Sequence, residues 1–454
     1  MHSRPFMAKN EGISVLLDSE SIDRTASQLS KRANSLLKYH STKLLKFFRT
    51  SEPIENEQLQ EIPQIQIIRK NGSIYSIELT GKDWKSSYGF GYRQEIISEI
   101  GQVVYNKHNL TSHEMRTLEL VFIQAVLNPD NGRNMLVTEN SFLLQNRGWF
   151  ESHFPGKRLN IMKMEEAAEV VDLLFKYNSE YPISSHYNVS KHYWYWLSFR
   201  SKIPTYYVDF KPPESGTTLG DMFKKKSILE AFAERFTFLL MSIDEMGFQY
   251  YSGVNNDTME STTYHFNYFI SLMTGIFDSL AIHTKNKYKL KFEGSHIPNR
   301  TSLQSNNGRE FLKALKIANA ELRQHIKDNS EIINMPYLLR DRIIHREGSR
   351  ATSMVGGGWQ ANLLFIQENF AECLKRCGDS QEEYEPWTKF GVYSGSFLNP
   401  YKFSKSATIL LSQFCNTYLQ LMGYDSFIEK MRRLKPKDEF MTTLNIFEED
   451  NLGL

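Results

Sequence analysis

Hydrophobic spacing changes period along this chain, and that change limits the folds open to it. Up to about residue 180, short apolar runs alternate with helical patterns. From residue 228 onward the apolar residues repeat at helical spacing alone. The first region holds a hairpin signal, "QIQIIRKNGSIYSIEL" (64–79), in which two alternating runs flank Asn71-Gly72, the pair favoured in tight turns. "RNMLVTEN" (133–140) and "RLNIM" (158–162) read as further strands, and 93–107 and 112–127 as helices. "MEEAAEVVDLLFKYN" (164–178) reads as a helix with acid in its first turn, where the helix dipole favours it.

Strands alternating with helices predict a small α/β domain over 63–180. Before it, Leu29, Leu36, Leu37, Leu44, Leu45 and Phe48 predict one long amphipathic helix over 22–48, followed by an acidic linker, so that 1–62 is helix plus linker. Residues 181–227 are rich in aromatics and end in Pro-Pro and Gly, which predicts an irregular connector with one strand at 205–210. Its aromatics either stack on bases or plug the seam between two domains, and plugging is the commoner use. Helices are predicted over 228–246, 264–288, 308–328, 335–346, 360–377 and 403–421. The expected fold class is therefore α+β overall: a small α/β N-terminal domain, then an all-α helical bundle over 228–425 with an insertion at 347–400, and a tail at 426–454. A length of 454 residues agrees with two or three domains.

Hydrophobic residues make up 41% and charged residues 23%, which excludes disorder as the main state. No apolar run approaches the roughly 20 residues that span a bilayer, and "MHSRPFMAKNEG" lacks a signal peptide's apolar centre, so no membrane partner and a cytoplasmic location are expected. Cys373, Cys377 and Cys415 are too few and too odd in number for a disulfide framework and read as reduced core residues. Gly356-Gly357-Gly358 lacks the Lys-Ser/Thr ending of a phosphate-binding P-loop and reads as a connection. The net charge of +2 selects no partner, but residues 285–346 carry thirteen Lys/Arg against six Asp/Glu, the local excess a phosphate-binding surface needs.

That basic segment contains "LLRDRIIHREG" (338–348). On a wheel of about 100° per residue, Met335, Leu338, Leu339 and Ile343 form one apolar arc, the expected core face. Arg340 and His345 bracket a second face with Ile344 between them, and an isoleucine there suits a packing surface or subunit interface better than solvent. Arg342 and Arg346 suit the helix end, where cations are favoured. Histidine moves protons near neutral pH and arginine grips phosphate with a fixed fork of donors. Together they suit RNA strand cleavage by attack of the neighbouring 2′-hydroxyl, a route that requires neither metal nor other cofactor.

"RDRIIH" (340–345) resembles the R-x4-H motif of HEPN domains, with Asp341 as the polar residue after the arginine. The order of helices around it, beginning with "FNYFISLMTGIFDSLAI" (266–282), also resembles that family, and the motif is expected to open its own helix. The resemblance covers residues 228–425. It implies a HEPN-like helical bundle and a metal-independent endoribonuclease of a toxin, antiviral or stress system, with RNA as substrate. It also implies a homodimer through the motif face and an antitoxin or defence partner. By carry-over His345 is the general acid/base, Arg340 holds the scissile phosphate and Asp341 orients one of them, with Asp278 as a supporting partner. The α/β part is faintly similar to PIN-like nucleases through "LVTEN" (136–140), which would make Glu119 and Glu139 metal-binding carboxylates, although a first-strand Asp is missing from that reading. Three functions thus stay open: a HEPN-type ribonuclease, a metal-dependent PIN-like nuclease, and a non-catalytic RNA- or protein-binding scaffold.

Overall fold

The computed structural model describes residues 12–39, 42–50, 54–70, 74–81, 85–91, 134–153, 160–184, 187–206, 228–296, 300–345, 351–356, 359–424 and 446–448. The fold is mixed α and β. A seven-stranded sheet has the order β5-β4-β3-β2-β1-β6-β7, with β1 Ile13–Leu17, β2 Leu45–Arg49, β3 Gln64–Lys70, β4 Ile74–Thr80, β5 Lys85–Gly91, β6 Asn134–Val137 and β7 Ile161–Met162. Strand β1 is central and pairs in parallel with both β2 and β6. Its sequence, ISVLL, is almost continuously apolar because both faces are covered. The β2–β3 and β6–β7 pairs are also parallel, and β3-β4-β5 add an antiparallel meander at one edge. The predicted hairpin has the register Lys70↔Ile74, with its Asn71-Gly72 tip outside the described residues, as are the helices expected at 93–107 and 112–127.

The sheet begins earlier in the chain than the sequence predicts. In place of one helix over 22–48 stand α1 (Ser19–Thr25), α2 (Lys31–Leu37) and strand β2. One cap cuts the pattern: Ser30 accepts from Ala33 N at 3.1 Å and starts α2. The run LKFFR then alternates in burial, with Leu45 and Phe47 inward and Lys46 exposed, as a strand requires. After α3 (Glu57–Gln60) and the meander, α4 (Ser141–His153) and α5 (Met164–Tyr177) complete the crossovers around β6 and β7. Over its described residues, up to 206, the aromatic segment is no irregular connector; 207–227 lie outside the described residues. A small ribbon (β8 Pro182–Ser184, β9 Tyr187–Asn188) leads to α6 (Lys191–Lys202), N-capped by Ser190. Trp194, Tyr195, Phe199 and Tyr206 are buried, and Phe199 packs 5.6 Å, centroid to centroid, from Phe236. They fill a core and offer no open face to bases. Residues 205 and 206 are not in a strand, and 207–210 lie outside the described residues.

The helical part opens with α7 (Ile228–Ser252) and α8 (Asn256–Lys287), an antiparallel pair joined by a short turn. One helix was expected over 308–328, but Asn319 divides it into α9 (Arg309–Ala318) and α10 (Ala320–Asp328). The motif helix α11 runs Ser330–His345 and contains Pro336. The expected insertion holds β10 (Ala351–Gly356), β11 (Trp359–Phe365), α12 (Glu368–Arg376), β12 (Val392–Tyr393) and β13 (Phe397–Leu398). The four strands form an antiparallel sheet of order β10-β11-β13-β12, so a strand stands where the first part of a helix over 360–377 was predicted, and the helical half is not purely α. Gly356 ends β10; Gly357 and Gly358 lie outside the described residues. Helix α13 (Pro400–Leu421) starts at its Asn399 cap and Pro400, and the tail at 426–454 is described only at 446–448. No helix among the described residues is long and apolar enough to cross a membrane. Cys373, Cys377 and Cys415 are free thiols; Cys373 and Cys415 are buried.

Candidate functional site

Helix α11 packs chiefly on α8 and α12. Its core face is Ile333, Met335, Tyr337 and Leu339; Leu338, expected inside, is exposed. The buried arc runs from Met335 and Leu339 through Pro336 to Ile333 and Tyr337, about a quarter turn round from the predicted one, so Leu338 falls outside it. The R-x4-H motif does not open this helix. It occupies the last turns, with His345 as the final residue. There the negative end of the helix dipole stabilises cations, which accounts for Arg340, Arg342 and His345 collecting at one helix end.

Arg340 is half-buried and Asp341 is exposed. The side chains of Arg342, Ile343, Ile344 and His345, and the whole of Arg346, lie outside the described residues. Asp278 on α8 is half-buried and accepts a hydrogen bond from Tyr337 Oη at 2.9 Å. Burial pushes the Asp278 carboxyl above its ordinary value, against the pull of the Tyr337 hydroxyl and of the Arg340 and Arg235 charges nearby. Arg235, on α7, hydrogen-bonds to Ser279 and lies over Gly275, where a Cβ would stand 3.0 Å from its Nε. One carboxylate, one phenol and two guanidinium groups from three helices thus gather beside the motif. Tyr337 and Arg235 are absent from the sequence-based site. Tyr337 carried a signal, since it sits one turn before Arg340; Arg235 carried none, because only the α7–α8 pairing brings it near.

The second candidate region is the carbonyl end of the large sheet, where the chain turns to opposite sides from β1 and β6, the crevice in which such sheets bind ligands. Asp18 directly follows strand β1, so a carboxylate does stand at the end of the first strand, in a region that the sequence reading assigns to helix and linker. Asp18 is buried and accepts from Thr138 Oγ1 at 2.6 Å. Glu139 Oε1 accepts from Met164 N at 2.9 Å, so this carboxylate caps α5. Burial raises the Glu139 carboxyl, with the Met164 hydrogen bond opposing. Glu119 lies outside the described residues, and no group of three His, Cys, Asp or Glu side chains suited to a metal ion occurs among the described residues.

A cavity of about 920 Å³ lies between the end of β11, α12 and the loops around Asp379 and Ser394; none of Arg340, Asp341 or Asp278 lines it. Comparison of the chain with protein-family models, with curated proteins and with solved structures finds no match.

Proposed function

We propose that this chain is a metal-independent endoribonuclease of HEPN type, acting in a toxin, antiviral or stress response, with a helical bundle built from α7, α8, α11 and α13. The observation that carries the reading is the R-x4-H spacing at the end of α11, with an arginine that its own core does not enclose. Arg340 and His345 stand five positions apart, about 7.5 Å of helix rise, a span that brackets one phosphodiester group. Arg340 binds the phosphate through its planar fork. His345 takes the 2′-hydroxyl proton as the oxygen attacks phosphorus and returns a proton to the leaving 5′-oxygen, giving a 2′,3′-cyclic phosphate and a 5′-hydroxyl. Asp341 orients one of the pair. A second copy of the chain completes the cleft, and an antitoxin or defence partner controls it.

The test incubates wild type, His345→Ala and Arg340→Ala with mixed RNA and with a 2′-deoxy strand, with and without chelator. Each variant is expected to lose on the order of 10²–10⁴-fold in cleavage rate. The wild type should cut RNA but not the deoxy strand, and EDTA should leave its rate unchanged. RNA degradation that persists in His345→Ala removes the assignment.

A further inference from the structure

One guanidinium on the sheet side of the molecule has no counterpart. Arg32 lies in the first turn of α2 and is half-buried. Its Nε and Nη2 atoms are out of reach of water, and neither has a hydrogen-bond partner among the described residues. These two nitrogens form one edge of the planar group. Their N–H bonds point the same way and match two oxygens of a single oxyanion. An arginine drawn out of water is usually paired with a carboxylate. Here each nearby carboxylate is already engaged. Glu169 pairs with Lys405 and accepts from Tyr251 Oη at 3.3 Å. Asp172 pairs with Lys176 at 2.7 Å, and Asp244 pairs with the same lysine and accepts from Tyr195.

Two ammonium groups stand near Arg32. Lys202 is the last residue of α6, and Asn416 of α13 holds that end by donating from Nδ2 to Lys202 O at 2.8 Å. Lys405 comes from α13 itself. The three cations repel one another. Burial, with Arg32, Lys176 and Lys405 acting in the same direction, lowers the Lys202 ammonium to about 8. Burial, with Arg32 and Lys402 adding to it, lowers Lys405 against the pull of Glu169. Lys402 itself lies 3.7 Å from Glu385 and 3.9 Å from Glu382. Four cations (Arg32, Lys176, Lys202 and Lys405) thus surround three carboxylates (Glu169, Asp172 and Asp244), an excess of one positive charge. Arg32, Lys202 and Lys405 are each half-buried, so the place they share lies just beneath the surface. Donors reach it from three helices. A flat carboxylate offers its oxygens in one plane, whereas the oxygens of a phosphate group point in every direction, and its charge of roughly one to two near neutral pH offsets the excess.

We propose that Arg32, Lys202 and Lys405 form a binding site for a phosphate group, carried by inorganic phosphate or by a nucleotide, where α2, α6 and α13 meet. Arg32 binds two oxygens through Nε and Nη2, and Lys202 and the spare N–H bonds of Lys405 bind the others. Arg340 and His345 take no part, so the site stands whether or not the chain cuts RNA. Helix α2 connects β1 to β2 of the large sheet and α13 closes the helical part, so the ligand ties the two together.

Equilibrium dialysis of radiolabelled inorganic phosphate against the full chain, at pH 7 in phosphate-free buffer with roughly 0.1 M NaCl, tests this. The wild type is expected to hold about one phosphate per chain, with a dissociation constant on the order of 1 mM or below. Arg32→Gln and Lys202→Gln should each weaken binding about tenfold or more. Arg32→Lys keeps the charge and loses the fork, and should weaken it by a similar factor. Circular dichroism checks that each variant folds, and Arg32→Lys decides the matter if Arg32→Gln does not. Release of the label by adenosine 5′-monophosphate at lower concentration than by unlabelled phosphate assigns the site to a nucleotide; release no better than that assigns it to inorganic phosphate. A label that does not bind, binding that Arg32→Lys retains in full, or release by added chloride as readily as by phosphate overturns the proposal.

Discussion

At the residue scale, Arg340 is a guanidinium half out of water beside a half-buried carboxylate. Its neighbour Asp278 is itself held by Tyr337, whose hydroxyl is spent on that carboxylate. Removing the hydroxyl leaves a partly desolvated acid short of one donor. Tyr337→Phe is therefore expected to cost about 1–3 kcal/mol in urea denaturation, while Tyr337 to any smaller residue adds a cavity. Arg340→Lys separates charge from shape: a lysine restores the positive charge near Asp278 but not the two-pronged grip, so stability should match wild type while RNA cleavage falls toward the alanine level. Recovery of wild-type cleavage by lysine would mean that only charge is needed there. The motif was legible as a string of residue types. Its surroundings were not, because an arc drawn through aliphatic residues alone leaves out the buried Tyr337, and because Arg235 reaches the cluster from a helix some forty positions away along the sequence from Asp278.

At the element scale, strong periodic signals read correctly and interrupted ones did not. Helices α5, α7, α8 and α13 and the β3–β4 hairpin follow the predicted patterns, each carrying a long apolar period or a defined turn. Two of the misread stretches share one cause: an apolar run that satisfies two periods at once. Residues 22–48 fit a helix until Ser30 and the alternating LKFFR are weighed as local stops. Residues 360–377 begin as the strand QANLLF and only then turn helical. The break at Asn319 is decided by a single side chain. Its Oδ1 accepts from Leu322 N at 2.9 Å, and its Nδ2 donates to Tyr288 Oη and to Leu421 O, both at 2.9 Å. Asn319 thereby starts α10 and also ties it to the ends of α8 and α13. Asn319→Ala removes all three bonds and should cost about 2–3 kcal/mol, more than the ~1 kcal/mol of an ordinary cap, measured by chemical denaturation. Asn319→Asp keeps the cap but not the two donated bonds and should fall between.

At the scale of the whole molecule, the sheet and the long helices share one continuous apolar core, and a buried set of charges runs through it. Lys176 on α5 contacts Asp172 at 2.7 Å and Asp244 of α7 at 2.8 Å, and stands 3.7 Å from the centre of the Trp194 ring. Tyr195 of α6 donates to the same Asp244 at 2.7 Å. Glu169, one turn before Asp172 on α5, pairs with Lys405 of α13. None of this is readable from sequence, since an acidic position in a helix looks the same whether it meets water or a distant lysine. Burial alone would raise the Glu169 carboxyl, but Lys405, Arg32 and Lys402 outweigh it and hold the group at about 2, below its ordinary 4.5. The folded form therefore releases this proton more readily than the unfolded chain. Its contribution is complete above pH 4.5 and drains away as pH falls from 4.5 toward 2, a difference worth on the order of 3 kcal/mol. Glu169→Gln should be destabilised by about that amount at pH 7, because the half-buried Lys405 also loses its counter-charge. The gap from wild type should narrow steadily below pH 4.5. Denaturant midpoints for both proteins between pH 7 and pH 3 measure it. A gap as wide at pH 3 as at pH 7 would mean that the Glu169 charge is not what Lys405 holds, and that α5 and α13 are joined by apolar packing alone.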